Sequence, residues 1–109
     1  MLRKTYTGSA TLNETFELGG HLPAKVTSVR IHLSAVGGAA ENYTAVFING
    51  SEAIDQIEID TQAMAAADES RATPTELYMW PGDKIDLDYA NSNNKDYVAV
   101  IEYDTVLRG

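Results

Sequence analysis

Short runs of alternating apolar and polar residues follow one another along most of the chain. In residues 26–33, Val29, Ile31 and Leu33 fall on one face and polar residues fall on the other. Because successive side chains of a β-strand point to opposite faces, this pattern predicts a half-buried strand. The same reasoning predicts further strands at residues 3–7, 11–18, 43–48, 54–60, 75–80, 84–89 and 96–103.

Two of these segments carry a finer prediction. Residues 43–48 are apolar on both faces apart from one threonine, which is typical of a central strand covered on both sides. Residues 54–60 alternate in their second half. We therefore expect Glu58 and Asp60 to face solvent while the isoleucines beside them face the core.

Turn residues separate the predicted strands. Pro81 and Gly82 suit the two central positions of a type II turn, because glycine accepts the positive φ required at the second of them. Asp83 is expected to accept a hydrogen bond from a backbone N–H and so stabilise that turn. Residues 62–72 are rich in helix formers and Pro74 follows them, which predicts a loop with at most a short helix.

About eight short strands with this spacing predict an all-β fold, an antiparallel β-sandwich with a jelly-roll-like architecture. The length of 109 residues predicts a single domain that spans residues 1–109. Residues 1–7 are a candidate N-terminal arm and residues 104–109 a candidate C-terminal tail. Either segment could add a strand to a neighbouring subunit or remain disordered.

Residues 81–89, PGDKIDLDY, place three aspartates within six positions and so raise the question of a metal site. An EF-hand loop beginning at Asp86 would need Gly at its sixth place and Glu at its twelfth, where the chain has Asn91 and Tyr97. Apolar residues alternate strictly with the acids over 84–89. The sequence therefore favours a strand with an acidic outer face, and we expect no metal and no other cofactor.

Composition and charge narrow the range of functions. The chain has no cysteine, which excludes disulfides and thiolate chemistry. A formal charge of −8 disfavours nucleic-acid binding. No apolar run reaches transmembrane length and no export signal is recognisable, so we expect no membrane partner. His21 and His32 lie outside any nucleophile motif, and we expect the protein not to be an enzyme; a pair of carboxylates in a pocket is the enzymatic alternative.

The aromatic residues allow two interpretations. Tyr78 and Trp80 share one face of a predicted strand, beside Glu76. They could stack on a sugar ring or on a partner protein. The interpretation that we favour from sequence is a cross-strand aromatic cluster with Tyr89, Tyr97 or Tyr103.

Three segments carry recognisable motifs: AENYT at residues 40–44, GDKI at residues 82–85 with the strand that follows to Asn91, and the last strand, residues 97–103. Together these segments resemble small virion proteins of tailed bacteriophages. The resemblance covers about three quarters of the chain, from Val26 to Tyr103. The shared motifs describe strands and turns and include no reactive group.

The resemblance implies a structural component of a bacteriophage particle, foremost a capsid decoration or cement protein that stabilises the head through protein–protein contacts. A tail, neck or fibre-associated protein, or a carbohydrate-binding module, is the alternative. The implied partners are further copies of the chain, with a trimer as the guess, and the major capsid protein or other virion proteins. The implied location is the virion, assembled in the host bacterial cytoplasm. The candidate interface residues are Leu2, Arg3, Lys4, Tyr6, Tyr78, Trp80 and Leu107.

Overall fold

The computed structural model describes residues 2–18, 23–33, 41–48, 56–64, 70–92 and 94–105, and gives only the backbone for residues 56–57, 62–63 and 70–72. Strands account for most of the described residues. Their bounds are β1 Leu2–Gly8, β2 Leu12–Glu17, β3 Ala24–Leu33, β4 Glu41–Ile48, β5 Gln56–Met64, β6 Ser70–Met79, β7 Lys84–Tyr89 and β8 Tyr97–Thr105. Each of the predicted strands is thereby confirmed over its described residues; residues 54–55 of the strand predicted at 54–60 lie outside them.

The strands form two four-stranded sheets, and all their pairings are antiparallel. Sheet A has the order β1-β8-β3-β6, and sheet B has the order β2-β7-β4-β5. Except between β4 and β5, each strand is followed in the chain by one in the opposite sheet. This is the connectivity of a jelly roll, and it confirms the predicted antiparallel β-sandwich.

The core lies between the two sheets and is built from the inward face of each strand. Its alternation follows the sequence pattern closely, since Val29, Ile31 and Leu33 of β3 are all buried. The other large residues of this core include Leu12, Phe16, Val26, Tyr43, Phe47, Met64, Met79, Ile85, Leu87, Tyr89, Tyr97 and Ile101. Every strand except β1 contributes at least one fully buried apolar residue.

Strand β4 is central, as predicted, because it lies between β7 and β5. Its inward residues are buried, but Val46 and Ile48 on the outer side are only half-buried. The expectation that both faces are covered is therefore wrong. A two-layer sandwich covers each sheet on one side only, and no described element lies over the outer face of sheet B.

A β-bulge accounts for a second difference. Asp60 pairs with Ala45, but Val46 pairs with Glu58, so Ile59 is an extra residue in β5. The bulge reverses the alternation, and Asp60 is buried with 7% of its surface exposed. The prediction that Asp60 faces solvent is wrong, whereas Glu58 is exposed as expected.

The predicted loop at residues 62–72 is also wrong where the structure describes it. Strand β5 continues to Met64 and β6 begins at Ser70, and residues 65–69 lie outside the described part. Helix propensity is a weak preference that strand pairing overrides. Pro74 lies inside β6 rather than closing a loop, which is possible because β6 is at the edge of its sheet and no described strand pairs with its other side.

Candidate interaction face at strand β6

The end of strand β6 and the residue that follows it present two large aromatic rings to solvent at the edge of sheet A. Tyr78 and Trp80 are each 57% exposed, while Met79 between them is completely buried. The alternation of the strand thus places both rings on the outer side. We call Tyr78 and Trp80 the β6 aromatic face.

This arrangement shows that the cross-strand cluster favoured from sequence is wrong for these two residues. Tyr89 and Tyr97 lie in the core, with 1% and 6% of their surface exposed. Tyr103 packs on Phe16, with ring centroids 5.1 Å apart. Neither Tyr78 nor Trp80 belongs to the core or to the partly buried residues packed against it.

The turn after β6 holds the backbone of Trp80. The N–H of Asp83 donates to the carbonyl oxygen of Trp80 at 2.9 Å, and the N–H of Trp80 donates to Oδ2 of Asp83 at 2.9 Å. Gly82 has a φ of 101°. Together these features confirm the predicted type II turn and the predicted role of Asp83 as an acceptor. These two hydrogen bonds therefore hold the backbone of Trp80 in a fixed position.

A shallow open depression lies on sheet A near the aromatic face. Its lining residues are Lys25, Thr27, Pro74, Thr75 and Glu76. It coincides with a shift in strand register between Val26 and Ser28 of β3, which disturbs the pairing with β6 on one side and β8 on the other. No sequence signal marked this irregularity.

Polar groups border the depression. Nζ of Lys25 lies 3.6 Å from Oε1 of Glu76, and the Glu76 side chain is 83% exposed. Lys25 pairs directly with Tyr78 across the strands, so a ring and an ion pair stand side by side. The depression thus combines an apolar surface with groups that can donate and accept hydrogen bonds.

The remaining candidate interface residues lie at the opposite edge of sheet A. Leu2, Arg3, Lys4 and Tyr6 all belong to β1, and β8 and β3 separate β1 from β6. Nζ of Lys4 lies 5.4 Å from the ring centroid of Tyr6. Burial, with a smaller contribution from the nearby Glu14 carboxylate, raises the pKa of Tyr6. The seven candidates therefore do not form one patch, and Leu107 lies outside the described residues.

An ion-pair cluster ties β1 to the outer surface of sheet A. The Glu102 carboxylate accepts hydrogen bonds from Ser28 Oγ at 2.7 Å and from Arg3 Nη2 at 3.0 Å. Arg30 Nη2 lies 3.2 Å from the same carboxylate. The Ser28 hydrogen bond, together with the two guanidinium charges, lowers the pKa of Glu102 despite its partial desolvation. These contacts are structural, since they join three neighbouring strands.

Of the three aspartates in residues 81–89, Asp86 and Asp88 take the positions expected on the outer face of a strand, whereas Asp83 belongs to the turn and is buried. Ile85, Leu87 and Tyr89 are buried, which confirms the apolar alternation of β7. Asp86 accepts a hydrogen bond from Thr15 Oγ1 at 2.8 Å. Within the described residues, no group of three His, Cys, Asp or Glu side chains is arranged to hold a metal ion.

Two residues for which the sequence predicted no structural role, Asn91 and Lys95, organise the loop before β8. Asn91 adopts a φ of 54° and is buried, and its Nδ2 donates to the carbonyl oxygens of Ala10 and Lys95. Lys95 is 1% exposed, and its Nζ has no hydrogen-bond partner among the described residues. Asparagine tolerates a positive φ, which is a signal that could have identified Asn91. Lysine is rarely buried, so nothing in the sequence marked Lys95.

Comparisons with known proteins identify no family for this chain. No protein-family model matches the chain, and no curated protein is similar to it in sequence. The crystal structure of PirA is 15% identical, covers 94% of this chain and 93% of its own, and has a TM-score of 0.47. No described helix is long and apolar enough to cross a membrane.

Two further similar structures are more distant in shape. A structure of infectious bursal disease virus, Gx strain, is 13% identical with a TM-score of 0.34; the match covers 91% of this chain but only 32% of the viral chain. The carbohydrate-binding module CBM29-2, in complex with cellulohexaose, is 18% identical with a TM-score of 0.35, over 93% of this chain and 78% of the module. Such low values assign neither a family nor a function. The resemblance to phage virion proteins thus rests on the sequence segments alone.

Proposed function

We propose that this protein is a structural component of a bacteriophage particle, a capsid decoration or cement protein that stabilises the head through protein–protein contacts. On this proposal it acts in the virion after assembly in the host cytoplasm, without catalysis and without a cofactor. Its partners are further copies of itself and the major capsid protein or another virion protein. The resemblance at residues 40–44, 82–91 and 97–103 supports a location in the virion. The β6 aromatic face supports binding through protein–protein contacts.

The single observation that carries a binding role is the exposure of Tyr78 and Trp80. Tyrosine and tryptophan are enriched among the residues that dominate protein interfaces. Two rings that are each 57% exposed would remove on the order of 200 Å² from water when covered, an upper limit of roughly 5 kcal/mol at 25 cal/mol/Å². Part of this free energy is offset by the cost of association.

The contact at β6 is expected to involve side chains rather than an added strand. Pro74 has no N–H, and it lies within β6 at the edge of sheet A that no described strand extends. A proline at this position interrupts any ladder that a further strand would form there. A partner is therefore expected to receive the two rings in pockets or against its own aromatic and arginine side chains.

The experiment is a binding assay with phage particles that lack the protein. Purified protein is added to such particles, and the bound fraction is measured by co-sedimentation for the wild type, Tyr78→Ala and Trp80→Ala. Each substitution is expected to weaken binding by about 10- to 100-fold, as for an interface residue worth 1.4 to 2.7 kcal/mol.

The matched control is Val98→Ala, which removes an exposed apolar side chain from β8 on the same sheet, two strands away from β6. It is expected to bind like the wild type. Binding that is unaffected by both aromatic substitutions contradicts the proposed contact. Absence of any binding to particles contradicts the proposed function.

A second candidate function, carbohydrate binding, is favoured by the depression next to Tyr78. An exposed ring can stack on the apolar face of a sugar, while Lys25 and Glu76 can bind its hydroxyl groups. Trp80 is the only tryptophan of the chain, so its fluorescence reports on this region specifically. A saturable change in emission on titration with bacterial surface polysaccharide, lost in Lys25→Met, would favour this candidate over the first.

A further inference from the structure

We propose that strand β1 exchanges between copies of this chain, so that β1 of one copy occupies the edge of β8 in another. The surface concerned is the β8 edge of sheet A, and its partner is the segment Leu2–Gly8 of a second copy. This proposal concerns a different edge from the β6 aromatic face and does not depend on the proposed function.

The first observation is that β1 buries very little of itself. Each of its residues is exposed except Tyr6, which is half-buried. The next strand is different, because β2 places Leu12 and Phe16 in the core. Departure of β1 from its place therefore leaves the hydrophobic core largely intact, whereas departure of β2 would open it.

The second observation is that the edge of β8 is shaped for this particular strand. The two strands pair without interruption from Leu2 opposite Tyr103 to Gly8 opposite Tyr97. A Cβ atom at Gly8 would lie 2.8 Å from the Tyr97 hydroxyl oxygen, so a residue with a side chain at this end would force the buried Tyr97 ring to shift. A strand from another protein with a side chain at this position would be hindered by Tyr97, whereas β1 of a second copy has Gly8 there and is not hindered.

Charge sets the same register at the other end of the strand. Arg3 pairs with Glu102 at 3.0 Å, and Glu102 is also held by Ser28 and Arg30 of β3. The acceptor therefore remains in place on the body of the sandwich whether or not β1 is docked. The contacts made by an exchanged β1 are the same as those made within one chain, so exchange requires no new complementarity.

The third observation is a boundary between a docked strand and an anchored loop. Nδ2 of Asn91 donates to the carbonyl oxygen of Ala10 at 2.8 Å, and Oγ1 of Thr11 donates to the carbonyl oxygen of Ala90 at 2.9 Å. The loop is thus fastened to the body from Ala10 onward. Gly8 and Ser9 precede this anchor and are the residues about which β1 can swing outward.

The consequence is an oligomer held together without a separate interface. Each copy gives one strand and receives one, either reciprocally in a pair or successively around a ring. Because the exchanged and unexchanged contacts are equal, the exchanged fraction is expected to rise with protein concentration, as mass action requires.

The test uses the absence of native cysteine. Thr5 and Val100 are direct partners in the β1–β8 ladder, and paired Cα atoms about 5 Å apart are within reach of a disulfide. One protein carries Thr5→Cys and a tag that increases its size, and a second, untagged, carries Val100→Cys. The two are mixed, unfolded in urea, refolded together at several concentrations, oxidised and separated on non-reducing gels.

A tagged–untagged disulfide dimer that increases with protein concentration is the expected result, since each chain supplies only one thiol of the pair. The matched control mixes Val100→Cys with a tagged Thr15→Cys, whose position is exposed on β2 of the other sheet. This control measures disulfides formed by random collision and is expected to give far less mixed dimer.

The proposal is overturned if the mixed dimer stays at the level of the control while the double variant Thr5→Cys/Val100→Cys forms its disulfide within single chains. Circular dichroism verifies that each variant folds. If a variant does not fold, Thr7→Cys and Val98→Cys probe the same ladder at a neighbouring partner pair. Both cysteine pairs are assayed without phage particles, so a negative result here does not contradict the proposed function.

Discussion

The turn after β6 offers the most direct test of the physical reasoning, through the substitution Gly82→Ala. Gly82 has a φ of 101°, and a Cβ atom placed there would have nothing within 4 Å. The substitution therefore introduces no clash, and its cost arises from the backbone conformation alone. That cost is about 1–2 kcal/mol for a residue with a side chain, and it is offset by roughly 0.4–1 kcal/mol because alanine restricts the unfolded chain.

The expected net loss in the free energy of unfolding is about 1 kcal/mol, which lowers the Tm by roughly 4–8 °C for a domain of this size. Urea and thermal unfolding are followed by circular dichroism and by the emission of Trp80, which lies two residues before the substitution. Asparagine tolerates the same position of a type II turn, so Gly82→Asn is the control and is expected to lose less. Equal stability of Gly82→Ala and wild type would refute the assigned turn. A loss above about 4 kcal/mol would refute the conclusion that the surroundings are open.

Three further substitutions test other parts of the structure. Burial raises the pKa of Asp88, so the ionised carboxylate lowers the free energy of unfolding. Asp88→Asn is therefore expected to be slightly more stable than wild type at pH 7 and to lose this advantage below about pH 4. Urea titrations at several pH values measure the difference. The pKa of Glu102 is lowered, first by the Ser28 hydrogen bond, so the ionised carboxylate stabilises the fold at pH values above its ordinary pKa, and this stabilisation is lost as the pH falls through the folded-state pKa. Glu102→Gln should therefore be less stable than wild type at pH 7, with a difference that shrinks in acid. A difference that is independent of pH would contradict this account. Gly8→Ala places a Cβ atom 2.8 Å from the Tyr97 hydroxyl oxygen; it is expected to lower the free energy of unfolding by about 1–3 kcal/mol and to speed hydrogen exchange in β1. The same substitution in a Tyr97→Phe background should lower it less. An equal loss in both backgrounds would assign the effect to the backbone.

Much of the local structure could be read from the order of the residues. Strand β7 occupies the predicted residues 84–89, and the turn before it has the predicted type. Both follow from interactions between near neighbours in the chain, namely the alternation of side chains and the dihedral preferences of Pro81 and Gly82. The exclusion of disulfides is equally local, because it needs only the residue count.

The candidate site was harder to predict because it depends on partners that are distant in the chain. The sequence placed Tyr78 and Trp80 on one face of a strand, but whether that face is covered is decided by which side of sheet A packs against sheet B, and the two rings lie on the side that points away from sheet B. Their exposure and the depression beside Lys25 arise from pairing with β3, about 50 residues earlier in the chain. No local pattern contains that pairing.

By itself, the amino-acid sequence of this protein determined which segments are strands, which side of most of them is apolar, and where one tight turn falls. Only the tertiary structure decided that Asp60 is buried by a bulge, that β6 extends through Pro74, and that the two groups of candidate interface residues lie at opposite edges of one sheet. The physical reason is the range of the interactions. Alternation and turn preference act over a few residues, whereas strand order and register are set by burial and hydrogen bonding between segments that meet only when the whole chain folds.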